Sequence, residues 1–239
     1  MLNSEKFLDA YGSIERYLRD RARGDKYRTF YQLVDQVAQS DSGVRRFEKD
    51  LKEFADLRNA IIHERGGGEV IAEPNDKALN AIKDIENVLL KPPILIPLFK
   101  AQVIELALND PIGRAVKLML EAEISQMPVK SGTQFIGLLT TNTVARWLGT
   151  CVLEDVFSLS ETTVAQVLQY TEDEDNHVFL SRDSTIFEAL EYFQHYESKG
   201  KRLEAVLITE HGKPPEQVLG IMTVTDLPKA LQEINKSVS

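Results

Sequence analysis

Apolar residues recur at spacings of three and four through the first third of the chain, and in short dense runs after it. Phe7, Leu8, Tyr11, Ile14 and Leu18 fall on one face of a helix, and Phe30, Leu33, Val34 and Val37 do the same. Phe47, Leu51, Phe54, Leu57, Ile61 and Ile62 mark a further helix that runs into Gly66-Gly67-Gly68, a left-handed stop. Leu79, Ile82, Ile85 and Leu89 mark a fourth, with Asn75 or Asp76 as its N-cap. Residues 5 to about 90 therefore read as helical. The segment Lys91-Pro92-Pro93-Ile94-Leu95-Ile96-Pro97 ends that texture, because closely spaced prolines make a stiff, extended connector. From about residue 98, short β runs alternate with short helices.

The second part states one pattern twice. Gly137-Leu138-Leu139-Thr140-Thr141-Asn142-Thr143-Val144 is echoed by Gly220-Ile221-Met222-Thr223-Val224-Thr225-Asp226-Leu227. Ahead of the first copy lie an apolar run (103–108), Asn109-Asp110-Pro111, a helical stretch with Ala115, Leu118 and Met119, and Met127-Pro128-Val129. Ahead of the second lie Val178-Phe179-Leu180, Arg182-Asp183-Ser184, a helical stretch with Ala189, Leu190 and Phe193, and an apolar run from Ala205 to Ile208. Such doubling implies one supersecondary module used twice, each copy completing the other's core. Between the copies, residues 171–176 form an acidic loop that reads as a solvated linker.

Charge separates the two parts. The net charge is −9 over 239 residues, which argues against general nucleic-acid or membrane-surface binding by the whole chain. Residues 1–92 hold 16 Lys and Arg against 17 Asp and Glu, and the remainder holds 12 against 20. Almost all the acidity is therefore C-terminal, and the two parts are expected to meet different partners. The lone Cys151 excludes an intrachain disulfide and a cysteine-based metal cluster, and it fits a reducing compartment. The N-terminus lacks a signal-peptide pattern, and no apolar stretch nears the ~20 residues needed to span a bilayer. A cytoplasmic protein is expected. No P-loop or Rossmann glycine pattern is present, and His177, His195 and His211 lack neighbouring nucleophile or ligand patterns.

On Met127-Pro128-Val129, Gly137 to Thr140 and Gly220 to Leu227, the repeated part resembles the CBS domain family in its tandem form, the Bateman module. The resemblance implies adenosine-nucleotide binding in the cleft between repeats. In the second copy it assigns Thr223 to the phosphate and Asp226 to the ribose hydroxyls, with Val178 and Ala205 in the base pocket. A helix N-terminus beside such a threonine supplies free N–H groups for the phosphate. In the first copy Thr143 stands where the family has aspartate, so a weak or empty site is expected around Thr140 and a competent one around Asp226. Asp226 also suits a plain helix N-cap, followed by Pro228 in the first turn, and both roles can hold at once.

Leu57-Arg58-Asn59-Ala60-Ile61-Ile62-His63-Glu64 is similar to the signature of HEPN domains, a helical family that includes metal-independent ribonucleases acting across a dimer cleft. Arginine clamps phosphate and histidine moves protons near neutral pH. Arg58 and His63 lie about 140° apart around an ideal helix, whereas Asn59 and His63 share a face, so a composite site between two chains is favoured. Arg16, Arg19, Arg21, Arg23, Lys26 and Arg28, with Tyr17 and Tyr27 interleaved, make a segment that can hold a phosphate backbone or simply a solvated helix end.

The expectation is an α+β chain with a HEPN-like helical domain over 1–92 and a tandem CBS module over 98–235, its two βαββα-type repeats at about 98–150 and 176–235. AMP, ADP or ATP is the expected regulatory ligand, with no metal required. A homodimer, RNA at the N-terminal domain and no membrane complete the expected partners. Arg58, Asn59 and His63 are the candidate catalytic set. The alternatives are a non-catalytic nucleotide-responsive scaffold acting on a protein partner, and a structural CBS protein with a lost site.

Overall fold

The computed structural model describes residues 2–22, 27–63, 73–154, 158–172 and 176–237, without the side chains of His63, Glu154 and Ser237. Gly66-Gly67-Gly68, Arg23, Lys26 and the centre of the acidic loop (173–175) lie outside the described residues. The fold is α+β. The chain divides into two compact units: Met1–Pro93 with Thr185–Glu188 and Pro228–Ser239, and Ile94–Ser184 with Ala189–Leu227.

The first unit is built on α1 (Asn3–Arg21), α2 (Phe30–Val37), α3 (Ser42–Arg46), α4 (Glu48–His63) and α5 (Asp76–Leu90). Spacings of three and four bury Phe7, Tyr11, Ile14 and Leu18 on α1 and all four apolar residues of α2, while Leu8 is half-buried. Burying each such side chain contributes about 1.5–3 kcal/mol. The Phe7 and Phe54 rings meet edge to face at 5.8 Å, and Tyr11 stacks on Phe30 at 4.4 Å. Local chemistry sets the helix starts. Asn75 Oδ1 accepts the Ala78 N–H at 2.9 Å to cap α5, and Thr29 and Gln32 form a reciprocal capping box at α2.

The second unit opens with a short turn, α6 (Leu95–Leu98), containing a cis Ile96–Pro97 peptide. It continues as β1 (Leu106–Ala107), α7 (Ile112–Glu121), β2 (Gln126–Ser131), β3 (Gln134–Thr140), α8 (Thr141–Glu154), α9 (Val164–Leu168), β4 (His177–Ser181), α10 (Ile186–Ser198), β5 (Ala205–Thr209) and β6 (Gly220–Met222); the start of α10 up to Glu188 and α11 (Leu227–Ser237) from Pro228 on belong to the first unit. Both repeats make a three-stranded sheet of one topology. The first strand pairs parallel with the second, and the second antiparallel with the third.

The run 103–108 yields only a two-residue strand, because β2 offers it partners only at Val129 and Lys130. The chain just before it bonds the other repeat instead: the Ala101 N–H donates to the Leu219 carbonyl, and Lys100 bridges Gly220. Pro128 sits inside β2 but outside the parallel ladder with β1, where the lack of an N–H is tolerated.

The pleat of β3 explains how the repeats share a core. Leu139 packs with Ile112, Met119, Met127, Trp147 and Cys151 of its own repeat. Its neighbour Leu138 points to the opposite face and packs with Ala205, Leu207 and Val218 of the second repeat. Phe135, His177 and Phe179 close the edge of that shared cluster, with ring centroids 4.7 to 5.6 Å apart. All five residues of β5 are buried, so the second repeat's middle strand is covered on both faces.

Candidate ligand site

A pocket of about 480 Å³ opens where β3 passes into α8. Thr140 and Thr143 line it, and both are buried. Thr140 caps the helix by accepting the Thr143 N–H at 3.1 Å, and the two hydroxyl oxygens lie 3.0 Å apart. Those oxygens bring two hydroxyl hydrogens, of which their mutual bond uses one. The pair therefore keeps one hydrogen to offer whichever hydroxyl donates.

The opposite wall comes from the end of α10 and the start of β4. Gly200 adopts φ +66° and ends the helix. Its N–H donates to the Glu197 carbonyl and the Lys201 N–H to the Tyr196 carbonyl, both at 2.9 Å, the double closure of a left-handed helix stop. This turn sets Lys201 and Arg202 on the pocket wall. Asn176 completes the wall: it is 6% exposed, and its Oδ1 lies 3.0 Å from His177 Nδ1.

Two acidic side chains share the lining, each held by a cation. Glu172 takes the Arg146 guanidinium at 2.8 Å and the Asn142 amide at 3.1 Å. Glu204 takes Arg202 at 3.2 Å. Asn142 Oδ1 and the second oxygen of Glu204 have no hydrogen bond among the described residues, so the lining keeps acceptors beside its donors.

The residues expected from the sequence divide. Thr140 lines the pocket. Ala205 follows Glu204 but is fully buried in the shared core, and Val178 is half-buried in β4 beside Val206. Thr223 and Asp226 lie away from this lining, at a short 3₁₀ turn (Val224–Asp226) that leads into α11. There Asp226 Oδ2 accepts both the Thr223 N–H at 2.9 Å and the Thr223 hydroxyl at 3.0 Å. The carboxylate reaches back to fasten the turn, as the third residue of a capping box does, and does not accept from an N–H of α11 as a plain N-cap would. Sequence reasoning missed Asn176, Lys201 and Arg202. The available signal was the Gly200-Lys201-Arg202 run after the second repeat's helix, where the first repeat has Glu123-Ile124-Ser125.

In the helical unit, Arg58 is half-buried and Asn59 exposed on α4. Arg58 Nη1 donates to Asn59 Oδ1 at 3.3 Å, and its guanidinium lies 5.8 Å from the centre of the Tyr11 ring. His63 closes the same helix. The basic segment is partly engaged: Arg19 pairs with Glu15, and Arg21 pairs with Asp41 and lies 3.6 Å over the Tyr17 ring. Tyr17 is buried and donates to Asp41 at 2.7 Å, with burial first and then that bond pushing its pKa up. Tyr17 is thus a structural strut and Tyr27 is the exposed ring. Among the described residues no group of three or more His, Cys, Asp or Glu could hold a metal ion, and no helix is long and apolar enough to cross a membrane.

Residues 98–150 match the family model for the CBS domain, so the first repeat is a CBS domain. No curated protein matches the chain. Similar solved structures include a conserved CBS domain protein from Thermoplasma acidophilum, with 18% identity over 60% of this chain and 75% of that one (TM-score 0.42). Another is the CBS domain pair of protein MJ0100 in complex with 5′-methylthioadenosine and S-adenosyl-L-methionine, with 13% identity over 59% and 96% (TM-score 0.43). A third is CbpB in complex with c-di-AMP, with 12% identity over 64% and 93% (TM-score 0.45).

Proposed function

We propose that this chain is a nucleotide-responsive regulatory protein that binds an adenosine nucleotide, AMP, ADP or ATP, in the pocket beside Thr140. The observation that carries the reading is the meeting of a capped helix start, Thr140 and Thr143, with the Lys201–Arg202 pair in one pocket of a CBS domain protein. A volume of about 480 Å³ falls within the ~300–1,000 Å³ usual for small-ligand sites. Lys201, Arg202 and the leftover hydroxyl hydrogen offer donors to a phosphate, and the start of α8 adds a favourable dipole. Thr223 and Asp226 form the corresponding position of the second copy and are a second proposed contact site, Asp226 accepting from ribose hydroxyls once a ligand competes with Thr223.

Occupancy of the module regulates the helical unit in this reading. That unit is a HEPN-like homodimer whose Arg58, Asn59 and His63 act as a metal-independent endoribonuclease. The scaffold alternative is favoured by one observation, the local engagement of Arg58 by Asn59 and Tyr11.

Thermal unfolding with each nucleotide tests the ligand reading. A ligand that binds only the folded state at one hundred times its Kd adds about 2.7 kcal/mol. The double variant Lys201→Ala, Arg202→Ala is expected to lose the shift. Loss in Asp226→Ala alone would move the ligand to the second copy, and no shift with any nucleotide would end the reading. Light scattering at tens of micromolar tests the dimer.

A further inference from the structure

We infer that the Thr140 pocket selects its nucleotide by charge, taking AMP ahead of ADP and ADP ahead of ATP. The inference rests on the nucleotide reading above and deepens it. Four charged side chains stand in the described lining, Lys201 and Arg202 against Glu172 and Glu204. Arg146, outside the lining, pairs with Glu172 at 2.8 Å. With Arg146 included, three cations meet two carboxylates, a surplus of one positive charge. A phosphate monoester brings a charge of about −1.5 to −2 at neutral pH, so one phosphate already uses that surplus. Each further phosphate adds negative charge that no cation of the described lining is left to balance.

The two carboxylates are fixed where a lengthening phosphate chain would meet them. Glu172 is held on both oxygens, by Arg146 and by the Asn142 amide at 3.1 Å. The Glu204 side chain is 16% exposed, and one of its oxygens takes Arg202 Nε at 3.2 Å. A charge so little exposed is poorly screened by salt. Arg202 cannot offer that N–H to a phosphate while it holds Glu204. The second Glu204 oxygen and Asn142 Oδ1 stay open, and they suit the amino and hydroxyl donors of a nucleoside. The lining carboxylates thus favour the uncharged part of a nucleotide and oppose its added phosphates. The wider field acts in the same direction, since residues 93–239 hold 12 Lys and Arg against 20 Asp and Glu.

Isothermal titration of AMP, ADP and ATP into the full chain is the test, first in EDTA and then in excess magnesium. In EDTA, ADP is expected to bind about threefold more weakly than AMP and ATP about tenfold more weakly, the scale of interactions between partly exposed charges. Magnesium bridges the β- and γ-phosphates of ATP and neutralises their charge, so it should bring ATP to within about threefold of AMP. The double variant Glu172→Gln, Glu204→Gln, its fold confirmed by circular dichroism, should narrow the gap in EDTA in the same way. If that variant does not fold, the magnesium comparison decides alone. ATP binding as tightly as AMP in EDTA would overturn the inference and leave the nucleotide reading standing. So would a gap that magnesium leaves unchanged, because the order would then follow size and not charge. Binding by none of the three would overturn both.

Discussion

Gly137 and Gly220 open the two copies of the repeated pattern, yet they should respond oppositely to one added methyl group. A Cβ on Gly220 would sit 2.1 Å from the Phe99 carbonyl oxygen and 3.0 Å from its carbon. Ordinary contact begins near 3.4 Å, so about 1 Å of backbone movement is required. That movement falls on a strand end tied by two backbone bonds, Leu219 N–H to Ile208 carbonyl at 2.7 Å and Ala101 N–H to Leu219 carbonyl at 3.2 Å. Overpacking costs about 1–3 kcal/mol and each weakened bond about 0.5–1.5 kcal/mol, while the stiffer unfolded chain returns about 0.4–1 kcal/mol. Gly220→Ala should therefore lose roughly 2–4 kcal/mol. At about 2–4 °C per kcal/mol for a chain of this size, Tm should fall by at least about 4 °C. A Cβ on Gly137 meets only Leu168 Cδ2, at 3.9 Å, and Gly137→Ala should stay within about 2 °C of the parent. Trp147 is the one tryptophan and is buried in the core of the first repeat, so its fluorescence follows this unit as it melts. Equal melting of Gly220→Ala and the parent, or a similar fall in both variants, would refute the argument from close approach.

Three further outcomes follow from local chemistry. The Glu216 carboxyl is held down to about 2, first by the His211 backbone N–H and also by the His211 ring. Its folded pKa lies below the unfolded 4.5, so its stabilisation is complete above about 4.5 and is lost as pH falls toward 2. Glu216→Gln should melt below the parent at pH 6 and converge with it near pH 2, and a gap unchanged across that range would count against the bond. Asn75→Ala removes the cap of α5 and should cost about 0.5–2 kcal/mol by urea unfolding, while Asn75→Asp should be tolerated. If the helical unit is a ribonuclease, labelled RNA should be cut in EDTA and His63→Ala should abolish cutting. Cleavage at the parent rate by that variant would point to a contaminant and favour the scaffold.

Elements with a long periodic signal are legible in the sequence. Phe7, Tyr11, Ile14 and Leu18 mark α1 because a buried helix face must repeat every three or four residues. Asn75 or Asp76 marked the start of α5 for an equally local reason, and Asn75 is the one that caps it. The five-residue helix α3 was not legible. It holds a glycine, it is too short for periodicity, and it forms because Asp41 Oδ1 accepts the Val44 N–H while the Asp41 Oδ2 anchors Tyr17. The extent of β1 was not legible either, because the apolar run 103–108 says nothing about how far a partner extends.

The site shows the same division at the level of single side chains. The repeated pattern placed Thr140 and Asp226 at helix starts, because the backbone there needs an oxygen to accept a free N–H. It did not tell what each oxygen would do beyond that. In the first copy Thr140 accepts from Thr143 and leaves a donor beside an open pocket. In the second copy the roles reverse, and Asp226 accepts from Thr223. The side chains that make the pocket hospitable to an anion, Lys201 and Arg202, stand about sixty residues from Thr140 on the turn at Gly200. Only folding brings them there. A duplicated pattern thus keeps the backbone requirement in both copies, and neighbours outside the pattern decide what each copy presents to its surroundings.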